Sequence, residues 1–247
     1  MSADHRQVAG RDSGPAPEPS EARLAAVRQQ LATTAIRYGR DPASVCLLAV
    51  SKQQPVRVIQ ALAAAGQQDF GENYLQEALP KLAALKSLAL KWHYIGQIQS
   101  NKTREIAEEF QWVHTLDRDK IALRLSEQRP PHAPPLQVCI QVRLVDEPGK
   151  GGVEPGDVLA LACQVASLPR LKLRGLMCIP PPCEDFEQQR RFFAQLTALQ
   201  IQLNAQLAPQ GVHLDTLSMG MSADYPAAIA AGATMIRIGT AIFGERV

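Results

Sequence analysis

From Ser20 onward the chain alternates short apolar runs with amphipathic stretches, and it does so eight times. The apolar runs fall at about 45–51, 68–70, 91–95, 112–115, 136–142, 173–178, 213–217 and 234–238. Helical periodicity lies between them, near 55–65, 73–88, 101–109, 118–127, 155–167, 184–207 and 222–231, with a short last segment at 241–245. A run such as Val45-Cys46-Leu47-Leu48-Ala49-Val50 is apolar without alternation, as in strands covered on both faces of a parallel sheet. Eight such units in 247 residues predict an α/β, single-domain (β/α)8 TIM barrel with no second β domain. An open doubly wound sheet shares the alternation, but no G-x-G-x-x-G follows the first strand.

Ahead of the first strand, Ser20 is placed to cap an extra N-terminal helix with Leu24, Val27, Leu31 and Ala35 on one face, ending near Tyr38-Gly39. Leu75, Ala78, Leu79, Leu82 and Leu85 form a second apolar stripe, and Phe186, Phe193, Leu196, Leu203 and Leu207 a third. Pro80 interrupts the second stripe. An interior proline removes a hydrogen bond and costs about 3 kcal/mol, so a kink or a restarted helix is expected there. Residues 1–19, rich in Pro, Gly, Ser and charge, are expected to form a disordered tail, leaving 20–247 as the folded domain.

Hydrophobic residues make up 46% of the chain, enough for a large core, and the formal net charge is only +2. The basic residues are scattered, so neither nucleic acid nor an anionic membrane is an expected partner, and a small molecule is. No run approaches a membrane span and no secretory signal opens the chain, so a cytoplasmic location is expected. A monomer is a separate expectation. Cys46, Cys139, Cys163, Cys178 and Cys183 form no C-x-x-C pair and are odd in number. Buried free thiols follow, with Cys183 alone looking exposed, and no metal site is expected.

In a (β/α)8 barrel the functional residues follow the strands, and phosphate often binds after strands seven and eight. Lys52 ends the first apolar run, which makes it a candidate reactive amine; a lysine that only keeps its ammonium in water is the plainer alternative. After the seventh run, Ser222 is placed to cap the next helix and Gly220 to bring the backbone close to a ligand, an arrangement suited to phosphate. A serine that merely caps is the alternative. After the eighth, Gly239 and Thr240 offer N–H groups and a hydroxyl to the same anion. Arg237 stands among Met235, Ile236 and Ile238, where a guanidinium without a partner is costly; a structural salt bridge is its alternative. His93 reads as a hydrogen-bonded core residue. The segment Asp146–Gly152 reads as a lid over the barrel mouth, with Lys150 steering a phosphorylated ligand.

A reactive amine, a phosphate cradle and an arginine in one barrel point to pyridoxal 5′-phosphate. The amine must be neutral to react, which requires a pKa lowered from about 10.4. Ala49-Val50-Ser51-Lys52, Phe70-Gly71-Glu72-Asn73-Tyr74, Trp92-His93-Tyr94-Ile95-Gly96 and Gln99-Ser100-Asn101-Lys102 occur in order. So do Arg174-Gly175-Leu176-Met177, Ser218-Met219-Gly220-Met221-Ser222, and Arg237-Ile238-Gly239-Thr240 with Ile242-Phe243-Gly244. Together they make the chain resemble the YggS/PROSC family of pyridoxal-phosphate homeostasis proteins, related to the alanine racemase N-terminal barrel. Pro80 and Gln97 depart from the family's pattern. The resemblance implies that Lys52 carries the cofactor as an internal aldimine, with Asn73 beside the ring and Arg237 facing the pyridine nitrogen. It implies that Ser222, Gly239 and Thr240 hold the phosphate.

A guanidinium donates but cannot accept, so it leaves the pyridine nitrogen unprotonated and the ring a poorer electron sink. Racemases that resemble this barrel add a β domain that supplies a second base, and the chain ends at Val247, just past the last segment. The expectation is a carrier without catalytic residues, which buffers pyridoxal phosphate and transfers it to apo-enzymes that use it. The alternative is an inefficient amino-acid racemase using Lys52 with Tyr74 or His93.

Overall fold

The computed structural model describes residues 19–145 and 151–244. Most of the expected tail, and the Asp146–Lys150 part of the expected lid with its Lys150, lie outside the described residues.

Eight parallel strands close into a barrel in sequence order: β1 (Cys46–Val50), β2 (Asp69–Glu72), β3 (Lys91–Tyr94), β4 (Trp112–Leu116), β5 (Leu136–Gln141), β6 (Leu171–Met177), β7 (Thr216–Ser218) and β8 (Met235–Ile238). Closure is made by β1 on β8, where Leu48 pairs with Arg237 and Ala49 with Ile238. The helices are α1 (Ser20–Arg37), α2 (Val56–Ala64), α3 (Leu75–Ala84), α4 (Thr103–Glu109), α5 (Asp119–Gln128), α6 (Val158–Ser167), α7 (Phe186–Leu207), α8 (Tyr225–Ala230) and α9 (Thr240–Phe243). Each strand is buried on one face by barrel side chains and on the other by helices, which explains why β1 reads as an unbroken apolar run. The extra helix α1 packs on α9, where Arg23 donates to the carbonyls of Ile242 at 2.7 Å and Phe243 at 3.1 Å.

Several local expectations change. Ser20 is the first residue of α1 and caps nothing; Pro19 holds the cap position, and the Ser20 hydroxyl accepts from Arg23 instead. β7 starts later than its apolar run because the Asn204 side chain captures both the N–H and the carbonyl of Leu214, leaving Thr216 as the first strand residue. Helix α3 runs unbroken through Pro80. Pro80 and Gln76, one turn before it, are both exposed, so the carbonyl left without an intrahelical donor lies on the solvent side. Cys139 and Cys178 are buried, Cys46 and Cys183 only partly so, and all five thiols are free. Burial pushes the Cys46, Cys139 and Cys178 thiols up to about 12.

Candidate functional site

Lys52 sits in a tight turn at the carboxyl end of β1, closed by the Gln54 N–H on the Ser51 carbonyl at 3.0 Å. Gln53 takes the left-handed conformation with φ 62°, a cost the surroundings must cover. They do so through three charged residues. Buried Lys81 of α3 donates to the Ser51 carbonyl at 2.8 Å and to Glu72 Oε1 at 2.9 Å, and also pairs with Glu77. The Ser51 hydroxyl donates to Glu72 Oε1 at 2.6 Å, and the Gln53 N–H donates to Glu77. Burial pushes the Glu72 carboxyl up, while its bonds to Ser51 and Lys81 pull it back.

Arg237 of β8 is buried and its partners are neutral: Ser218 O at 2.7 Å, Ser218 Oγ at 3.1 Å and Cys178 O at 3.0 Å. The salt-bridge alternative therefore fails, since among the described residues none of its hydrogen bonds goes to a carboxylate. Burial lowers its pKa from the usual arginine value, with Cys178 and Asp224 pulling the other way.

Ser222 does not cap α8. Asp224 holds the cap position and its carboxylate turns back to accept from the Met221 N–H, so the 221–224 segment closes on itself and Ser222 is left exposed. Gly220 is needed for packing rather than for approach to a ligand: at φ 94°, a Cβ there would lie 2.6 Å from Ala228 Cβ. Gly239 and Thr240 form the junction of β8 and α9, whose first N–H groups have no intrahelical partner.

Lys52, Asn73, Ser222, Arg237, Gly239 and Thr240 all line one cavity of 390 Å³ at the carboxyl ends of the strands. Its apolar walls include Val50, Ile95, Met177 and Phe243. Asn73 Oδ1 is buried there without a hydrogen-bond partner. A second cavity of 280 Å³ shares Asn73, Ile95 and Ile179 and adds Thr115, Asp117 and Arg143. Gly151 also lines it and accepts from the Gln141 amide at 2.7 Å. Tyr74, by contrast, is 56% exposed and lines neither cavity. His93 is locked in the barrel interior between Asp69 and His114. Among the described residues no cluster of His, Cys, Asp or Glu could hold a metal ion, and no helix is long and apolar enough to cross a membrane.

Sequence reasoning missed the Glu72–Glu77–Lys81 support under Lys52 and the partners of His93. One signal for the first was present: Lys81 falls on the buried face of α3 with Leu75, Ala78 and Leu82, where a lysine needs a partner.

The closed eight-stranded barrel that carries Lys52 after its first strand and Arg237 in its eighth belongs to a known class of domain. Residues 23–247 match the family model described as alanine racemase, N-terminal domain. Alanine racemase from Corynebacterium glutamicum shares the fold, with a TM-score of 0.63 at 17% identity over 90% of this chain and 62% of the racemase. Much closer likenesses carry another name. The pyridoxal phosphate homeostasis protein of Pseudomonas aeruginosa is 56% identical over 90% of this chain and 94% of its own. That of Escherichia coli K12 is 49% identical over 90% and 95%. PipY of Synechococcus elongatus PCC7942, solved with PLP bound, superposes with a TM-score of 0.80 at 41% identity, covering 91% of this chain and all of PipY. The chain belongs to the pyridoxal phosphate homeostasis protein family.

Proposed function

We propose that this protein binds pyridoxal 5′-phosphate and acts in its homeostasis as a carrier rather than a catalyst. The observation that carries the reading is the convergence of Lys52, Asn73, Ser222, Arg237, Gly239 and Thr240 on one cavity. The donor set fits the group: a primary amine, a buried guanidinium, hydroxyls for an anion and an unpartnered amide oxygen. Bound pyridoxal phosphate supplies an aldehyde with which a primary amine condenses.

Lys52 offers the amine from a turn that Lys81 and Glu77 hold in place. Ser222 and Thr240 offer hydroxyls, and the turn at Gly239 offers N–H groups, to the phosphate. Arg237 keeps hydrogens on its own nitrogens and so leaves a facing ring nitrogen unprotonated, which disfavours carbanion chemistry. Neither Tyr74 nor His93 stands in the cavity as a second acid or base. Transfer to apo-enzymes, a cytoplasmic location and a monomeric state complete the proposal.

Purified protein loaded with pyridoxal phosphate is expected to show a visible absorption band, and borohydride trapping with peptide mapping is expected to place the adduct on Lys52. An adduct on Lys102 instead would remove the assignment. Exchange of an amino acid's α-proton with solvent at ordinary enzymatic rates would remove the carrier reading.

A further inference from the structure

A file of hydrogen-bonded side chains crosses the barrel interior behind Arg237. Its far end is Asp69, the first residue of β2, which lies at the opposite mouth of the barrel among Lys91, Trp112, Gln137 and Arg174. Asp69 Oδ1 lies 3.0 Å from His93 Nε2, and His93 Nδ1 lies 3.0 Å from His114 Nε2. His114 Nδ1 lies 2.7 Å from Ser218 Oγ, which receives an Arg237 N–H at 3.1 Å. Both histidines are fully buried, and His93 stacks on Trp112 with ring centroids 5.4 Å apart.

The position of every hydrogen in this file follows from its two ends: at one arginine can only donate, and at the other a carboxylate can only accept. Ser218 Oγ accepts from Arg237, so its own hydrogen needs an acceptor, and His114 Nδ1 is the one its geometry supplies. A hydrogen on His114 Nδ1 would instead leave the buried Ser218 hydroxyl with nothing to donate to, which is costly. His114 therefore carries its hydrogen on Nε2 and gives it to His93 Nδ1. His93 in turn carries its hydrogen on Nε2 and gives it to Asp69. A second proton on either ring would set two donors facing each other. Burial also lowers both histidine pKa values, with Lys91 adding to the effect on His93 and Arg237 to that on His114, while Asp69 opposes it on His93.

We propose that Asp69, His93, His114 and Ser218 are positioning residues, a file of single sense that fixes how Arg237 is held at the cavity. Arg237 donates to Ser218 O, Ser218 Oγ and Cys178 O, and the residue so held lines the cavity. A change at Asp69 is then felt at Arg237 through three intervening side chains, without direct contact. The hydrogen assignment stands on geometry alone; its effect on the ligand rests on the cofactor reading above.

The test is nitrogen-15 NMR of the full chain without added cofactor, followed by spectrophotometric titration with pyridoxal phosphate. Wild type is expected to show both His93 and His114 neutral and protonated on Nε2 only. A hydrogen on Nδ1 of either ring overturns the file. In Asp69→Ala, His93 loses its acceptor, and His114 is expected to populate both tautomers although Asp69 does not touch it. The cofactor's absorption band should shift, and affinity should fall about threefold to tenfold, the worth of one hydrogen bond. Asp69→Ala with wild-type His114 signals, band and affinity would overturn the positioning role, because a purely structural residue would change stability alone. Wild type that takes up no pyridoxal phosphate would overturn the cofactor reading and the ligand half of this inference, and the hydrogen assignment would still be decided by the nitrogen signals.

Discussion

Lys81 Nζ lies 2.8 Å from the carbonyl oxygen of Ser51, the residue that immediately precedes Lys52. A buried ammonium on α3 thus holds the backbone that presents the candidate amine, and it also neutralises Glu72, whose side chain is fully buried. Two lysines share the region with opposite roles: Lys81 turned inward as a structural cation, Lys52 at the cavity.

Lys81→Met is expected to be strongly destabilising. It removes one partner of a buried pair and leaves the Glu72 carboxylate without compensation, a change worth about 3–5 kcal/mol. Urea denaturation at neutral pH measures it. Adding Glu72→Gln should recover part of the loss, because the uncompensated charge is then gone. A single variant as stable as wild type would show that the Lys81 contacts carry no net energy.

Ser222→Ala and Thr240→Ala are each expected to weaken binding of pyridoxal phosphate while leaving unphosphorylated pyridoxal unaffected. Both side chains are exposed at the cavity edge, so the lower end of the range for a hydrogen bond to a charged group applies, about 1.5 kcal/mol or roughly tenfold in affinity. Equal losses for both ligands would show that neither hydroxyl meets the phosphate.

The barrel was legible because its information is local. Apolar runs without alternation mark strands covered on both faces, and the Leu75–Leu85 stripe marks a helix face whatever the rest of the chain does. Lys52, Gly239 and Thr240 are legible through their place at strand ends, and Arg237 as a charge inside an apolar run. The Asp69–His93–His114–Ser218 file was not legible, since it joins β2, β3, β4 and β7 and depends on registers between strands that helices separate in sequence. Ser222 was misread as a cap because Asp224, two residues on, turns its carboxylate to the Met221 N–H, a choice among neighbours that composition does not decide.

Acidification should destabilise the protein through His93 and His114. Both have folded pKa values below the ordinary 6.5 because burial disfavours the charged ring. The unfolded chain therefore binds more protons than the folded one once pH falls below about 6.5, and stability is lost from there down toward the folded values. With two histidines the slope can reach about 2.7 kcal/mol per pH unit. Denaturation midpoints between pH 7.5 and roughly 5.5 would register it. A His93→Phe variant, which keeps a ring stacked on Trp112, should lose about half the slope. An unchanged slope would place the acid sensitivity elsewhere.

Gly96→Ala should disturb the cavity floor. A Cβ on Gly96 would lie 1.9 Å from the Asn73 carbonyl oxygen and 2.8 Å from its carbon, and both are backbone atoms that no rotamer change can move away. Overpacking of this kind costs about 1–3 kcal/mol or more. The backbone shift it forces falls on Asn73, which lines both cavities, so cofactor affinity should fall together with stability. Gly156→Ala is the control: nothing lies within 4 Å of its Cβ and its φ is not in the left-handed region, so it should be neutral or slightly stabilising. Urea denaturation and spectrophotometric titration of the two variants decide the matter. If Gly96→Ala matched Gly156→Ala in both measurements, the contact between Gly96 and the Asn73 backbone would not be what shapes the cavity.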